Sequence, residues 1–142
     1  MWIANFSMEQ IQKGLHFDAS WQPIVLIQIK DPDFKNFVSS PQQHLFKDVL
    51  QLSFFDDEDD KIDSISDSQA KQIADFLLKA KQNKFNVMVH CHAGICRSGA
   101  VVEAGTLLGM TVPNGVNRRI PNLRVFNKVR KELGFFSSWE NQ

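Results

Sequence analysis

The sequence has little of what several classes of protein depend on. Only 2 cysteines occur in 142 residues, Cys91 and Cys96, too few and too close together for the disulfide framework of a small secreted domain. The 16 Lys and Arg residues are balanced by 16 Asp and Glu residues, which leaves no excess positive charge for nucleic acid or an anionic membrane. No apolar run approaches the roughly 18 residues of a membrane span, and the first residues lack the basic stretch of a signal peptide. We expect a cytoplasmic monomer with no nucleic-acid or membrane partner.

Internal repeats, low-complexity tracts and linkers rich in Gly, Ser or Pro are absent as well. The 7 Gly and 5 Pro residues are scattered, so no segment marks the start of a second domain. A chain of this length buries roughly two-thirds of its extended surface when it folds. We therefore predict a single domain over residues 1–142.

Three segments have the composition of strands. Residues 24–29 are almost wholly apolar and rich in β-branched side chains, which favours a strand buried on both faces, and Asp31 with Pro32 stops this pattern. Residues 50–54 alternate strictly between apolar and polar side chains, so we predict a strand with one face on the core. Residues 85–90 form the third predicted strand.

Helical periodicity separates and follows these strands. One helix is predicted to begin at Ser66 or Ser68, since either is a good N-cap for the apolar residues that recur beyond it. Two more predicted helices cover residues 98–109 and 122–133. Strands that alternate with helices imply crossover connections. We therefore predict an α/β fold with a central, largely parallel sheet of about four to five strands and helices on both faces.

The loop after His90 is where such a sheet would bind a ligand, because it follows the carboxyl end of a buried strand. Backbone amides at the start of a helix point at an anion, and Gly94 permits the tight curvature that lets them converge. The guanidinium of Arg97 is expected to bind two phosphate oxygens at once. The same field favours the nucleophilic thiolate form of Cys91. The residues predicted to bind phosphate are His92, Ala93, Gly94, Ile95, Cys96 and Arg97.

A zinc site is the other interpretation of clustered Cys and His side chains. His90, Cys91 and His92 are consecutive, however, and no second pair of ligands follows at the spacing of a metal site. We therefore predict a phosphate-binding cysteine loop without a metal ion.

The spacing within this loop resembles a known signature. Cys91 and Arg97 are separated by five residues, His90 precedes the cysteine and Ser98 follows the arginine. The pattern His-Cys-x5-Arg-Ser resembles that of the cysteine-dependent protein tyrosine and dual-specificity phosphatases, and the chain is similar to their small single-domain members from bacteria and phages. The resemblance implies a dual-specificity phosphatase-like fold, no cofactor, and hydrolysis of phosphomonoesters through a cysteinyl-phosphate intermediate. The implied substrate is a protein carrying phosphotyrosine or phosphoserine/threonine, or another phosphomonoester.

The resemblance also implies roles for two neighbours of the cysteine and arginine. Ser98 is expected to donate a hydrogen bond to the sulfur of Cys91, and a serine at this place is also a good N-cap for the following helix. His90 is expected to order the loop through hydrogen bonds rather than to move a proton.

The leaving oxygen needs a proton donor, and the resemblance implies an upstream Asp. An acidic run over residues 56–60 begins 35 residues before Cys91, directly after the alternating strand. If the apolar side chains of that strand face the core, its period of two places Asp56 on the same side, near the loop. Asp56 is therefore the predicted general acid and Asp57 the alternative. The rest of the run is predicted to be a solvated turn: Glu58, Asp59 and Asp60.

Two departures from the family pattern keep other functions open. The chain has no Tyr, and so lacks the tyrosine-containing loop that stacks phosphotyrosine in large tyrosine-specific enzymes. Cys96 stands where a small residue is common, and its surroundings resemble the loop of the low-molecular-weight tyrosine phosphatases. Cys96 is a possible redox partner that protects Cys91. The alternatives are a phosphate-binding module without turnover, and a redox enzyme with a cysteine pair, such as an arsenate reductase.

Overall fold

Strands and helices alternate along most of the chain, as the sequence pattern predicts. The computed structural model describes residues 1–16 and 18–136. Short 3-10 helices over Ala19–Trp21 and Gln43–Leu45 precede the second and third strands. In chain order the strands and α-helices are β1 (Ile3–Ser7), α1 (Met8–Lys13), β2 (Ile24–Lys30), β3 (Phe46–Ser53), α2 (Asp67–Asn83), β4 (Asn86–Cys91), α3 (Arg97–Leu107) and α4 (Leu123–Glu132).

The sheet is parallel throughout and has the strand order β1-β4-β2-β3. β2 and β4 are the two inner strands, and they carry the longest apolar runs because both of their faces are covered. All four strands end at the same edge of the sheet, which brings Ser7, Lys30, Ser53 and Cys91 to one side of the molecule. The predicted α/β fold with a central parallel sheet is confirmed, and the sheet has four strands in the part of the chain that is described.

Helices cover both faces of the sheet, as predicted. Helices α2, α3 and α4 pack on one face, over a core that includes Ile27, Phe54 and Val89. Helix α1 packs on the other face, where Ile11 joins Leu26 and Met88. Buried apolar side chains on both sides of the sheet hold its carboxyl edge in place beneath the loops that follow the strands.

The structure locates the helix starts more closely than the sequence pattern does. Ser66, not Ser68, is the N-cap of α2, where its hydroxyl accepts from the backbone N–H of Gln69 in a capping box. Asn122 caps α4 by accepting from the N–H of Val125. Helix α3 begins at Arg97 with Cys96 at its N-cap position and no side-chain cap.

The first strand and helix were not predicted. Ile3, Ala4 and Asn5 are all buried, so β1 shows no alternation, and its short length gives no other signal. Its outer edge is covered by the segment near Thr111, whose carbonyl accepts from the N–H of Ile3 at 2.9 Å. This edge strand is important for the site because its end contacts the loop after β4.

The helices lack the length and apolar character that a membrane span requires, in all residues that the structure describes.

Candidate active site

Cys91 is the last residue of β4, and Ser98 lies in the first turn of α3. The sulfur of Cys91 is 3.2 Å from the hydroxyl oxygen of Ser98 and 3.5 Å from the backbone nitrogen of Ser98, which donates to it. Cys91 is only 2% exposed. The structure thus brings these two residues together as expected, but the alternative role of Ser98 as N-cap is wrong, because Cys96 occupies that position.

The loop over residues 92–96, called the 92–96 loop below, is held by its backbone carbonyls. Its anchors come from β1, from the residue after β1, and from the segment before α4. No protein group in residues 1–16 and 18–136 accepts a hydrogen bond from the amides of residues 92–97, so these amides are available to an anion. The anchoring pairs are Met8 N to His92 O (3.1 Å), Asn5 Nδ2 to Gly94 O (2.7 Å), Ile120 N to Ile95 O (3.3 Å) and Asn122 N to Cys96 O (3.0 Å).

Gly94 is the point where the 92–96 loop touches β1. Its φ is +74°, in the region that favours glycine. A Cβ at this position would lie 2.4 Å from the carbonyl carbon of Phe6 and 2.4 Å from the nitrogen of Ser7. Both the curvature and the close packing of the loop therefore require glycine.

Arg97 enters the site from the first residue of α3. Its side chain is 4% exposed, and its Nη1 donates to Oδ1 of Asp31 and to the carbonyl of Phe54, each at 2.7 Å. These partners are at the ends of β2 and β3, respectively. The guanidinium therefore spans the carboxyl edge of the sheet beside Cys91.

His90 lies beneath the loop, with 2% of its surface exposed. Its Nε2 is 3.2 Å from Nε2 of Gln28, an amide donor that also donates to the carbonyl of Val38 at 2.9 Å. Gln51 donates in turn to Oε1 of Gln28 at 2.9 Å. Burial lowers the pKa of His90 to about 4, so the imidazole is neutral near pH 7. A buried, neutral ring in a hydrogen-bonded network is suited to fixing the end of β4, and the role of His90 in ordering the loop stays a prediction.

Asp56 and Asp57 both line the cleft above Cys91. The register of the preceding residues agrees with the prediction, since Leu52 and Phe54 are 6% and 0% exposed. Asn122 contacts the two residues differently. Its Nδ2 donates to the carboxylate oxygen Oδ1 of Asp56 at 2.7 Å, whereas at Asp57 it donates to the backbone carbonyl, at 3.2 Å. Only the side chain of Asp56 is held in this way.

Cys96 is a free thiol, as is Cys91. Burial raises the pKa of Cys96, and the negative charge of the nearby Asp56 acts in the same direction. The side chain of Cys96 is therefore a protonated thiol at neutral pH. The thiol is less reactive than the thiolate.

The acidic run was predicted to be a solvated turn beyond Asp57, and Glu58, Asp59 and Asp60 are exposed as predicted, although two of them also contact the start of α4. Glu58 accepts from the backbone N–H of Leu123 at 2.8 Å, at the start of α4. Asp60 pairs with Arg124 at 3.3 Å, although its side chain is 91% exposed. The positive end of a helix and a nearby guanidinium attract these carboxylates, which sequence spacing does not reveal.

The cleft has a volume of about 380 Å³ and opens to solvent. The ring of His92 stacks on Phe34, with ring centroids 5.9 Å apart and an interplanar angle of 14°. In the described part of the chain, no group of three or more His, Cys, Asp or Glu side chains is placed to hold a metal ion. The lining residues are Asp31, Phe55, Asp56, Asp57, Cys91, His92, Ala93, Cys96 and Arg97.

No family model and no curated protein matches this sequence. Among solved structures, the chain is similar to human DUSP28, with 14% identity over 93% of this chain and 91% of that one and a TM-score of 0.57. It is also similar to the human tyrosine phosphatase-like serine/threonine/tyrosine-interacting protein, with 24% identity over 76% of this chain and 75% of that one and a TM-score of 0.51. The fold is that of the dual-specificity phosphatases. At these identities the likeness concerns the fold alone.

Three residues of the site were missed as site residues by sequence analysis. Asn5 anchors the 92–96 loop, Asp31 holds Arg97, and Asn122 contacts both that loop and Asp56. A usable signal existed only for Asp31, which follows a buried strand and must lie at the same edge of a parallel sheet as His90. Nothing in the local sequence distinguishes Asn5 or Asn122.

Proposed function

We propose that the protein is a cysteine-dependent phosphatase that hydrolyses phosphomonoesters through a cysteinyl-phosphate intermediate. One observation carries the proposal: a buried cysteine sulfur with an adjacent hydroxyl and amide lies beside loop amides for which no protein acceptor is found in the described residues. Arg97 lies at the same cleft. A nucleophile is thus placed next to donors for the oxygens of a phosphate group.

In the first step, the thiolate of Cys91 attacks phosphorus and the bond from phosphorus to the ester oxygen breaks. The amides of the 92–96 loop and the guanidinium of Arg97 stabilise the nonbridging oxygens as charge redistributes. Asp56 donates a proton to the leaving oxygen, which departs as an alcohol or phenol.

In the second step, water attacks the phosphorus of the cysteinyl phosphate and gives up a proton to the carboxylate of Asp56. The sulfur–phosphorus bond breaks, inorganic phosphate leaves, and Cys91 returns as a thiolate. The Ser98 hydroxyl, 3.2 Å from the sulfur, donates to it as its negative charge develops. The site thereby returns to its starting state without a metal ion or redox cofactor.

The substrate class that this proposal covers is a protein carrying phosphotyrosine, with phosphoserine and phosphothreonine as further candidates. The cleft is open and is lined by the aromatic side chain of Phe55 and by His92, on which the ring of Phe34 stacks. An open cleft with aromatic walls accommodates an aryl phosphate on the surface of another protein.

A phosphate-binding module without turnover is the second candidate. One similar structure is named tyrosine phosphatase-like and an interacting protein, which favours this alternative. The presence of Asp56 at the cleft, with its carboxylate held by Asn122, favours the enzyme. Oxyanion binding alone does not separate the two candidates, whereas turnover does.

The test compares the wild-type protein with Cys91→Ser and with Cys96→Ser, a matched exchange in the same loop. We expect wild type and Cys96→Ser to hydrolyse p-nitrophenyl phosphate in the presence of EDTA, and Cys91→Ser to have no measurable turnover. Calorimetric titration with tungstate should show binding to all three, since the amides and Arg97 are unchanged. Turnover that persists in Cys91→Ser, or that needs added metal, would overturn the mechanism. Tungstate binding with no wild-type turnover would favour the second candidate.

A further inference from the structure

The guanidinium of Arg97 is attached to the protein along one edge only. Its Nη1 donates to Asp31 Oδ1 and to Phe54 O, each at 2.7 Å. Nε is buried and has no hydrogen-bond partner, and Nη2 has none among the residues that the structure describes. The unpartnered edge, Nε–H with Nη2–H, is the pair of donors that binds two oxygens of a phosphate group.

A buried arginine needs a partner for its charge, and Asp31 is the anion that supplies it. The side chain of Arg97 is 4% exposed and that of Asp31 is 24% exposed, so the pair lies largely out of water. An arginine side chain has several rotatable bonds, and a neutral carbonyl such as that of Phe54 directs it less strongly than a carboxylate does. The ion pair therefore both compensates the charge and selects one orientation of the guanidinium.

Asp31 is itself well fixed. It follows β2 directly, and its backbone carbonyl accepts from the N–H of Phe34 at 3.1 Å. Lys30 donates to the carbonyl of Phe34 at 2.7 Å, and the Phe34 ring stacks on His92 in the 92–96 loop. The segment that carries Asp31 is thus tied to the loop that carries the amides.

We propose that Asp31 is a positioning residue that holds the guanidinium of Arg97 so that its free edge faces the phosphate group. The inference rests on the proposed function. Asp31 touches neither the leaving group nor the nucleophile in this scheme. It acts through Arg97 on the nonbridging oxygens, in the bound phosphate and in the transition state alike.

The first experiment compares Asp31→Asn with Asp33→Asn. Asp33 is exposed, lies on the same segment, and makes no hydrogen bond or ion pair with the described residues. Asp31→Asn should weaken tungstate binding by about 10- to 100-fold and lower kcat/KM by a similar factor, because a charge-assisted hydrogen bond to Arg97 is lost. The loss should be equal for p-nitrophenyl phosphate and a phosphoserine peptide, because the leaving oxygen is not involved. Asp33→Asn should match wild type.

The second experiment repeats the exchange in an Arg97→Lys background. If Asp31 acts through the guanidinium, the two substitutions are not additive, and Asp31→Asn should change tungstate affinity by less than about 3-fold there. Asp31→Glu, which keeps the charge, should recover part of the loss in the Arg97 protein. Thermal unfolding of each variant without tungstate verifies that a folded protein is being titrated.

Several results would overturn the inference. Unchanged or tighter tungstate binding by Asp31→Asn would mean that Asp31 has no effect on the bound anion or repels it. Full additivity with Arg97→Lys would mean that Asp31 acts independently of the guanidinium. Failure of the proposed function gives a different result, namely absence of turnover in the wild-type protein. The role of Asp31 would then still be tested by the tungstate affinities, which do not depend on turnover.

Discussion

The two sides of the cleft are held in place in different ways. On one side, the 92–96 loop is anchored through its backbone carbonyls by β1 and by the segment before α4, and the residues beneath it are buried. On the other side, the acidic segment, residues 56–60, is held through side chains. Asp56, Glu58 and Asp60 contact Asn122, Leu123 and Arg124, respectively.

This difference in anchoring suits the two sides of the cleft to two different tasks, anion binding and the proposed proton donation. Backbone anchors and buried packing hold donors in fixed positions, as anion binding requires. Side-chain contacts on an exposed segment are weaker and screened by solvent, so the position of the proposed proton donor is adjustable. Substitutions that displace the backbone of the 92–96 loop should therefore impair the turnover of all substrates and the fold, whereas those in the acidic segment should act according to the leaving group.

The largest effect is expected for Gly94→Ala. The added Cβ would lie 2.4 Å from two backbone atoms of β1, so either the loop moves or the protein loses about 2 kcal/mol or more of its free energy of unfolding. Tungstate binding and turnover should both be lost. Calorimetric titration and thermal unfolding measure these effects.

Gly115→Ala is the matched control, because Gly115 has a similar φ of +80° but no atom within 4 Å of the added Cβ. It should lower the free energy of unfolding by only about 1 kcal/mol and leave tungstate binding unchanged. Equal behaviour of the two variants would mean that the contact with β1 does not matter for the 92–96 loop.

The next largest effect is expected for Asp56→Asn. Turnover of a phosphoserine peptide should fall by about 100-fold, since a poor leaving group needs the proton most, while p-nitrophenyl phosphate should lose only a few-fold. Tungstate affinity should not fall. Steady-state kinetics with the two substrates provides the comparison.

Asp57→Asn serves as the control for that exchange, because the carboxylate of Asp57 is not held by Asn122. It should change both rates by less than about 3-fold. The reverse pattern would assign the acid to Asp57, and the distinction drawn from Asn122 would then be wrong.

A smaller effect is expected for Asn122→Ser. Serine keeps the N-cap of α4 but is too short to reach Asp56, so turnover of poor leaving groups should fall by about 3- to 10-fold with no change in thermal stability. Asn122→Ala should show the same kinetic loss and, in addition, a loss of about 1 kcal/mol in the free energy of unfolding. A loss that affects tungstate binding as well would mean that Asn122 serves the 92–96 loop more than the acidic segment.

The smallest effect on the reduced protein is expected for Cys96→Ser, whose turnover should stay within about 2-fold of wild type. After treatment with peroxide and then with dithiothreitol, the wild-type protein should recover more activity than Cys96→Ser. Peroxide oxidises Cys91 to a sulfenic acid, and the thiol of Cys96 then forms a disulfide with release of water. Because burial raises the pKa of Cys96, this capture should become faster as the pH rises. Equal recovery of both proteins, or no Cys91–Cys96 disulfide in mass spectra, would leave Cys96 as a packing residue.

The parts of the structure that follow from local sequence were predicted well. The inner strands are recognisable from their apolar runs, and the resemblance of the loop to the phosphatase signature implied the contact between Cys91 and Ser98. The period of the preceding strand selected Asp56 as the candidate acid, and Asp56 lines the cleft, while its role as the acid stays a prediction.

The partners that hold these residues could not be predicted, because they are distant in sequence. Asn5 reaches Gly94 across 89 positions, and the pairs Asp31–Arg97 and Asn122–Asp56 each span 66 positions. Short polar residues at the ends of strands and helices have many local uses, so their type does not reveal a distant partner. Only the packing of the sheet and helices brings these partners together.

The most direct test of the central claim is acid quenching during turnover of an aryl phosphate, followed by peptide mass spectrometry. The account predicts a phosphoryl group on Cys91, more abundant in Asp56→Asn because that variant also lacks the base for hydrolysis of the intermediate. Turnover without any phosphoryl group on Cys91, or with the group on another residue, would contradict the account.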